Sequence, residues 1–557
     1  MKEALLVFII SIYTQLSFGQ SADLILWKGN IITLQSNGHR AEAIAIKGDT
    51  IVTTGTNEEI KKYISTNTKV IDLEGKTVIP GFNDVHQHPF PIYEWNKPYA
   101  ELRLDTISSM KSLISLIKRK ALISPKGILI KGVGYNELKL GGQPIRDSLD
   151  LATTEHPVLI VHASGHLVAV NSLMLKLNSI TKKTQDPPGG SFERYHDGIP
   201  DGIVKESARK EFKSTNIIEA QTPSHEEQLE GYRKYFSQML SGGLTSIGDC
   251  GVSPEKLIIY HELVAENFPF RFNLYIGVDY LDQVISDKIK KEASPYLRVA
   301  GIKMFHGNSL SGKTCWLSDP YDLINPITNK KDYYGIPPAR SQESLDSLVL
   351  RIHSAGLQIA CHSNGDREIE MLINAVEKAQ IAFPIMNMRH RIEHCSVTNQ
   401  SILDRIKIAQ LIPVFHCYIN ELGGQLAVYG SKRLSMMMPT KSALDMHIPF
   451  ALHSDFPISR YEAMIRLGSA VNRKTIDGTV LGANQRLEVE EAIKAYTING
   501  AYTSHEENVK GSIKTGQYAD LVILDKDPVK IEKDKINSIE ILTTIVGGKI
   551  AYQKSKN

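Results

Sequence analysis

Two histidines one position apart, His86 and His88, close the run PGFNDVHQH (80–88). On a strand, alternate side chains share a face, so both imidazoles would converge and offer neutral nitrogen donors to a divalent cation. A histidine pair by itself is a weak metal signal. Its company along the chain strengthens it: Lys303 in KMFHGNS, His362 in ACHSNGD, His394 in RIEHC and Asp455 in LHSDFP, each at or near the end of an apolar stretch. Imidazole and carboxylate donors suit zinc and similar ions, and the lack of cysteine ligands argues against a closed structural zinc site. A lysine cannot ligate as an ammonium; converted by carbon dioxide to a carbamate it would offer two oxygens, able to bridge two metals about 3.5–4 Å apart. The expected cofactor is therefore a divalent metal, zinc by its ligands, as one or two ions, with Lys303 carboxylated if there are two.

The elements that must position these residues can be counted. After the His86 strand come the apolar runs 243–251, 270–278, 297–305, 356–366, 388–396, 409–417 and 447–457, which makes eight strands. Amphipathic stretches such as SQESLDSLVLRIHSAG and REIEMLINAVEKAQ lie between some of them. That alternation predicts an α/β fold, a (β/α)8 TIM barrel, whose reactive groups gather at the C-terminal strand ends. Both termini instead show short alternating runs broken by Gly, Asn and Asp, which predict a small β-sandwich built from residues 21–80 and 508–557. The barrel would occupy 81–507. Within it, the interval 89–242 is too long for one crossover and is expected to hold an inserted subdomain over the barrel mouth, a source of substrate contacts.

Composition narrows the class. The 557-residue chain carries a net charge of +3 with no sustained Lys/Arg run interleaved with aromatics, so nucleic acid is not an expected partner. The first twenty residues, MKEALLVFIISIYTQLSFGQ, have the basic start, apolar stretch and small-residue end of a secretory signal. The apolar stretch is shorter than the roughly 20 residues needed to span a bilayer. A periplasmic or secreted protein with no stable membrane insertion after cleavage follows. Five cysteines, Cys250, Cys315, Cys361, Cys395 and Cys417, form no disulfide-like spacing and read as buried free thiols. Homo-oligomerisation is left open.

The combination PGFNDVHQH, KMFHGNSLSGKT, ACHSNGD, RIEHC and LHSDFP, followed by AYTINGAY and GSIKTGQYADLVILDKDP, resembles the amidohydrolase superfamily. More narrowly it is similar to the family 3 branch that contains N-substituted formamide deformylase. The resemblance spans nearly the whole chain after the signal. It implies His86, His88 and Asp455 as ligands of a first metal, His362 and His394 as ligands of a second, and Lys303 as a carboxylated bridge. Asp455 would also be the catalytic base and then acid, taking the proton of the attacking hydroxide and passing it to the leaving nitrogen.

Two departures stand out: where many relatives read K-x-F-x-D-G-S, Gly307 occupies the Asp position and His306 is added, and Tyr135 stands where a Trp often follows a GxG turn. Tyr135, His166, Asn171, Arg391 and His416 are the expected substrate contacts, with Glu206 a similar case; against them, Asn171 would equally cap a helix, Arg391 pair with Glu393 and His166 serve the fold. The expected activity is metal-dependent hydrolysis of a non-peptide C–N bond in a small-molecule amide, N-formyl or N-acyl compound. Alternatives are a deaminase or cyclic-amide hydrolase, and a non-catalytic binding protein on the same fold.

Overall fold

A computed structural model describes residues 21–35, 38, 40–213, 217–325 and 328–555; the expected export signal lies outside them. Eight parallel strands form the central sheet: β1 (Phe82–Gln87), β2 (Leu244–Val252), β3 (Arg271–Gly277), β4 (Leu297–Phe305), β5 (Gln358–Ser363), β6 (Arg391–His394), β7 (Ile412–His416) and β8 (Ala451–His453). Their order in space is their order in sequence. Buried on both faces, they read as nearly continuous apolar runs. The sheet closes where β8 meets β1. The Asp455 N–H donates to the His86 carbonyl at 3.0 Å and the His88 N–H to that of Phe456 at 2.9 Å. Asp84 of β1 accepts the Ser454 N–H (3.0 Å) and the Tyr496 hydroxyl (2.8 Å) across the same seam.

Helices cover the barrel outside. Ser341 caps Gln342–Ser354 and Ser224 caps His225–Ser241, the latter with a reciprocal bond from Glu227. The buried faces of both helices join one core cluster with the barrel strands.

The two chain ends fold together. A four-stranded sheet uses Leu24–Trp27, Ala43–Lys47, Thr50–Gly55 and Lys69–Asp72, all N-terminal. A six-stranded sheet mixes both ends, with Thr77–Pro80 antiparallel to Leu521–Leu524 and Val522 opposite Ile79. Leu24, Leu26, Ile44 and Ile46 of one sheet pack on Val78, Leu521, Ile523 and Ile545 of the other. One residue then carries the chain from sandwich to barrel: a side chain at Gly81 would lie 2.3 Å from Thr245 Oγ1.

The inserted segment after β1 holds a fourth sheet, of six strands, from Leu102–Arg103 to Pro200–Glu206, with its own apolar clusters. All five cysteines are free and buried. Among the described residues no helix is long and apolar enough to cross a membrane.

Sandwich and barrel are joined by a buried ion pair. Arg271, at the start of β3, donates from Nε to Asp520 Oδ2 (2.6 Å) and from Nη2 to Oδ1 (2.8 Å), while Gly547 N–H also reaches Oδ1. The side chains are 1% and 5% exposed. Removing one partner leaves the other charge buried and uncompensated, so Asp520→Ala is expected to cost about 3–5 kcal/mol of stability, measured by urea unfolding; a loss near zero would show that the pair does not join the two units.

Candidate metal centre

His86 lies on β1 and His88 just past its end at Gln87, where the register with β2 shifts between Asp84 and Gln87. His86 is fully buried, and its Nδ1 is hydrogen-bonded to Glu393 Oε2 on β6. With Nδ1–H held by the carboxylate, the Nε2 lone pair is turned into the barrel mouth. There His86 Nε2 lies 3.3 Å from His88 Nε2, and each of these nitrogens lies 3.4 Å from Asp455 Oδ1. Metal–ligand bonds of 2.0–2.1 Å in a tetrahedral site would separate donors by about 3.3–3.4 Å, so this triangle has the size a zinc-like ion needs. Asp455 Oδ1 is buried and has no hydrogen-bond partner among the described residues. Lys303 Nζ, 3.1 Å from His86 Nε2, borders the same space and rests 4.5 Å from the centre of the Phe305 ring.

Glu393 is itself fixed. Arg391, two residues earlier on β6, donates to both of its oxygens at 2.8 Å and to the Val85 carbonyl at 2.9 Å. Burial works against the Arg391 charge, but Glu393 more than offsets it and holds the guanidinium above its usual range.

Four more histidines complete the ring. His362, at the end of β5, donates Nε2–H to the Asn308 carbonyl at 3.0 Å, which leaves its Nδ1 as the available donor. His394 and Asp455 take left-handed backbone angles, φ 71° and 56°, a conformation uncommon outside glycine and concentrated at functional sites. The Nδ1 atoms of His394 and His416 stand 4.0 Å and 3.9 Å from Asp455 Oδ2. Asp455 therefore turns one oxygen to His86 and His88 and the other to His394 and His416. His453, stacked 4.8 Å from both the His86 and His416 rings, is fully buried with neither nitrogen hydrogen-bonded among the described residues.

Electrostatics favours the ligating forms. Burial, aided by the Lys303 charge, pushes His86, His88, His362 and His394 well below the ordinary imidazole value, so these rings are neutral at neutral pH. Burial pushes the Asp455 carboxyl well above the usual carboxylate range, with Lys303 pulling it back. A divalent cation between the rings and this carboxylate would supply the missing counter-charge.

The expected substrate contacts divide. His166, in the turn before the inserted strand Leu167–Val170, reaches the mouth: its ring centre is 4.8 Å from that of His362 and its Nδ1 is 2.7 Å from Glu206 Oε2. His416 points Nδ1 at Asp455 while its Nε2 meets Ser459 Oγ at 3.0 Å.

The other three are corrected. Tyr135 is buried in the core of the insertion with its hydroxyl on Gln143. Asn171 caps the helix Ser172–Leu177 and bonds Val158 N–H and the Thr153 and His156 carbonyls. Arg391 is committed to Glu393. At 0%, 0% and 1% exposure they present no face to a substrate.

Beside the mouth a cavity of about 1280 Å³ opens between the insertion and the segment after β8, lined by Phe90, Tyr93, Arg103, Lys131, Phe456 and Tyr461 among others. Sequence reasoning passed over Asp84 and His453, and saw Glu393 only as a partner for Arg391. The period-two spacings Asp84-His86-His88, Arg391-Glu393 and His453-Asp455 carry the signal.

The sequence pattern of the amidohydrolase family matches residues 69–552. The chain is 28% identical over 553 residues to the putative amidohydrolase YtcJ of Bacillus subtilis, covering 95% of this chain and 99% of that protein. It is 25% identical over 549 residues to the N-substituted formamide deformylase of Arthrobacter pascens, covering 96% and 99%. Its fold is similar to that of an uncharacterized metal-dependent hydrolase from Pyrococcus horikoshii, with TM-score 0.70 and 23% identity over 92% of this chain and 99% of that one. By the extent of that match, which takes in all eight barrel strands and the sandwich strands Lys69–Asp72, Thr77–Pro80 and Leu521–Leu524, the chain belongs to the amidohydrolase family.

Proposed function

We propose that this metal-dependent hydrolase of non-peptide C–N bonds acts on an exocyclic amide, an N-formyl or N-acyl bond of a small molecule. The observation that carries the reading is the triangle of His86 Nε2, His88 Nε2 and Asp455 Oδ1, whose carboxylate oxygen has no hydrogen-bond partner among the described residues. The similarity to a formamide deformylase over nearly the whole chain supports the substrate class.

His86, His88 and Asp455 would hold a first ion, and His362 and His394, with Lys303 as a carbamate, a second; zinc fits the donors best. Bound there, the metal supplies Lewis-acid polarisation of the scissile carbonyl and a water acidic enough to attack at neutral pH. Asp455 would take the proton of that water on Oδ2, the oxygen turned away from His86 and His88, and return it to the leaving nitrogen. Glu393, held by Arg391, keeps His86 in the tautomer that ligates. His166, with Nδ1 on Glu206, offers Nε2 to the substrate, as His416 does with Nδ1. The insertion limits water at the mouth. The leader at residues 1–20 would export the enzyme to the periplasm or medium.

One observation favours another second position. His394, His416 and His453 can each bring a nitrogen within 4.8 Å of the others, and neither His453 nitrogen has a hydrogen-bond partner among the described residues. In that arrangement Lys303 stays an amine.

Three outcomes are expected. On a panel of N-formyl and N-acyl amines the enzyme releases the carboxylic acid and amine, and ammonia is not formed; ammonia from ring substrates alone would instead identify a deaminase. Asp455→Asn keeps its metal by elemental analysis but loses turnover by about 10²–10⁴-fold, and an unchanged rate would remove it as the base. Lys303→Ala lowers the metal content and is partly rescued by small carboxylic acids; full occupancy and activity in this variant would eliminate the carbamate and leave the trihistidine position.

A further inference from the structure

Glu368 lies in the first turn of the helix Asp366–Ala382 that follows β5, and it is completely buried. Its carboxylate accepts four backbone N–H groups. Oε1 takes those of Asn308 (3.0 Å) and Trp316 (2.7 Å), and Oε2 those of Asn364 (3.0 Å) and Gly365 (2.8 Å). One side chain thus closes both ends of the loop 308–316 after β4 and ties them to the chain just past His362.

That loop holds the site from two directions. The Asn308 carbonyl receives His362 Nε2–H at 3.0 Å and Asn364 Nδ2–H at 2.8 Å. Thr314 donates its hydroxyl to Glu206 Oε1, while the other Glu206 oxygen holds His166. Neither contact survives if the loop base shifts by an ångström.

The adjoining residue fits the same picture. Gly307 has φ 135°, and a Cβ built on it would sit 2.3 Å from Glu368 Oε2. The motif that this chain otherwise resembles has an aspartate at that position. Here the glycine leaves the space, and a carboxylate from the next helix fills it.

Burial pushes the Glu368 carboxyl up to about 8 even with four N–H donors pulling the other way. An uncharged amide of the same length would be easier to bury. Only a carboxylate, though, has two acceptor oxygens for two pairs of donors.

We infer that Glu368 is a positioning residue of the active site: by anchoring the loop 308–316 it holds His362 with Nδ1 free for a cation and sets the Glu206–His166 pair at the mouth. This rests on the reading of His362 as a ligand, and the test separates the two ideas.

Glu368→Gln keeps the length but sets an NH2 group against one pair of N–H donors; Gly307→Ala pushes the carboxylate from the other side. Both are expected to melt as folded proteins and to lose hydrogen-exchange protection at Asn308, Trp316, Asn364 and Gly365. They should also bind zinc about 10–100-fold more weakly in chelator competition, and in turnover kcat should fall and KM rise, because the His166 contact loosens with the loop.

Wild-type exchange and zinc affinity in Glu368→Gln would overturn the inference. So would a variant that does not fold, since Glu368 would then serve the fold and not the site. If the wild-type protein binds no zinc, the metal reading fails, and the exchange measurement still decides the role of Glu368.

Discussion

The functional centre depends on the closure of the barrel between β8 and β1. Asp455 donates its backbone N–H to the His86 carbonyl, and His88 donates to that of Phe456. These two bonds bring a carboxylate from one end of the sheet onto two imidazoles from the other, across more than 360 positions of sequence. No local interaction sets that distance. It is imposed by eight strands adding up to a closed ring, with Asp84 filling the seam through Ser454 and Tyr496. The seam is held from below as well: the strand Thr77–Pro80, which feeds β1 through Gly81, is paired to Leu521–Leu524 from the far end of the chain. The sandwich is therefore part of what keeps β1 in register.

Much of this was legible in the residues. The eight apolar runs correspond one for one to the barrel strands, because parallel strands buried on both faces cannot hide their pattern. The residues expected to do chemistry lie where those runs end, and the structure brings His86, His88, Lys303, His362, His394 and Asp455 around one mouth. What escaped was the layer behind them. Tyr135 and Asn171 sit in segments whose turns suggest a surface, yet their side chains point into the insertion's own core, a choice made by tertiary packing. Arg391 stands at the start of a short strand where alternation cannot tell an inward pair from a mouth residue, and only the meeting of β6 with β1 shows that Glu393 serves His86. His453 was hidden because its neighbour Asp455 already accounted for the motif.

Five buried acids show how the protein separates support from reaction. Asp84 receives a hydroxyl, an amide and a backbone N–H; Glu393 receives two guanidinium bonds and an imidazole; Asp520 receives a guanidinium and a backbone N–H; Glu368 receives four backbone N–H groups. Each is saturated, as a carboxylate removed from water must be. Asp455 is different. Among the described residues one of its oxygens is buried with no hydrogen bond, and His86 Nε2 and His88 Nε2 each stand 3.4 Å from it. These four acids fix geometry, and Asp455 leaves room for a cation.

The same logic explains why the mouth is assembled from two separate regions. A barrel strand end can place a ligand within tenths of an ångström, because its backbone is fixed by neighbours on both sides. It cannot reach over the substrate. That task falls to the insertion, which carries its own sheet and core and holds His166 in the turn just before the strand Leu167–Val170, its carbonyl accepting the Glu206 N–H at 2.9 Å. The two regions meet at the Thr314 to Glu206 hydrogen bond, between the inserted sheet and the loop after β4, at the His166–His362 ring contact and where Arg103 lies over Phe456. His86, His362 and His453, by contrast, are carried by barrel strands.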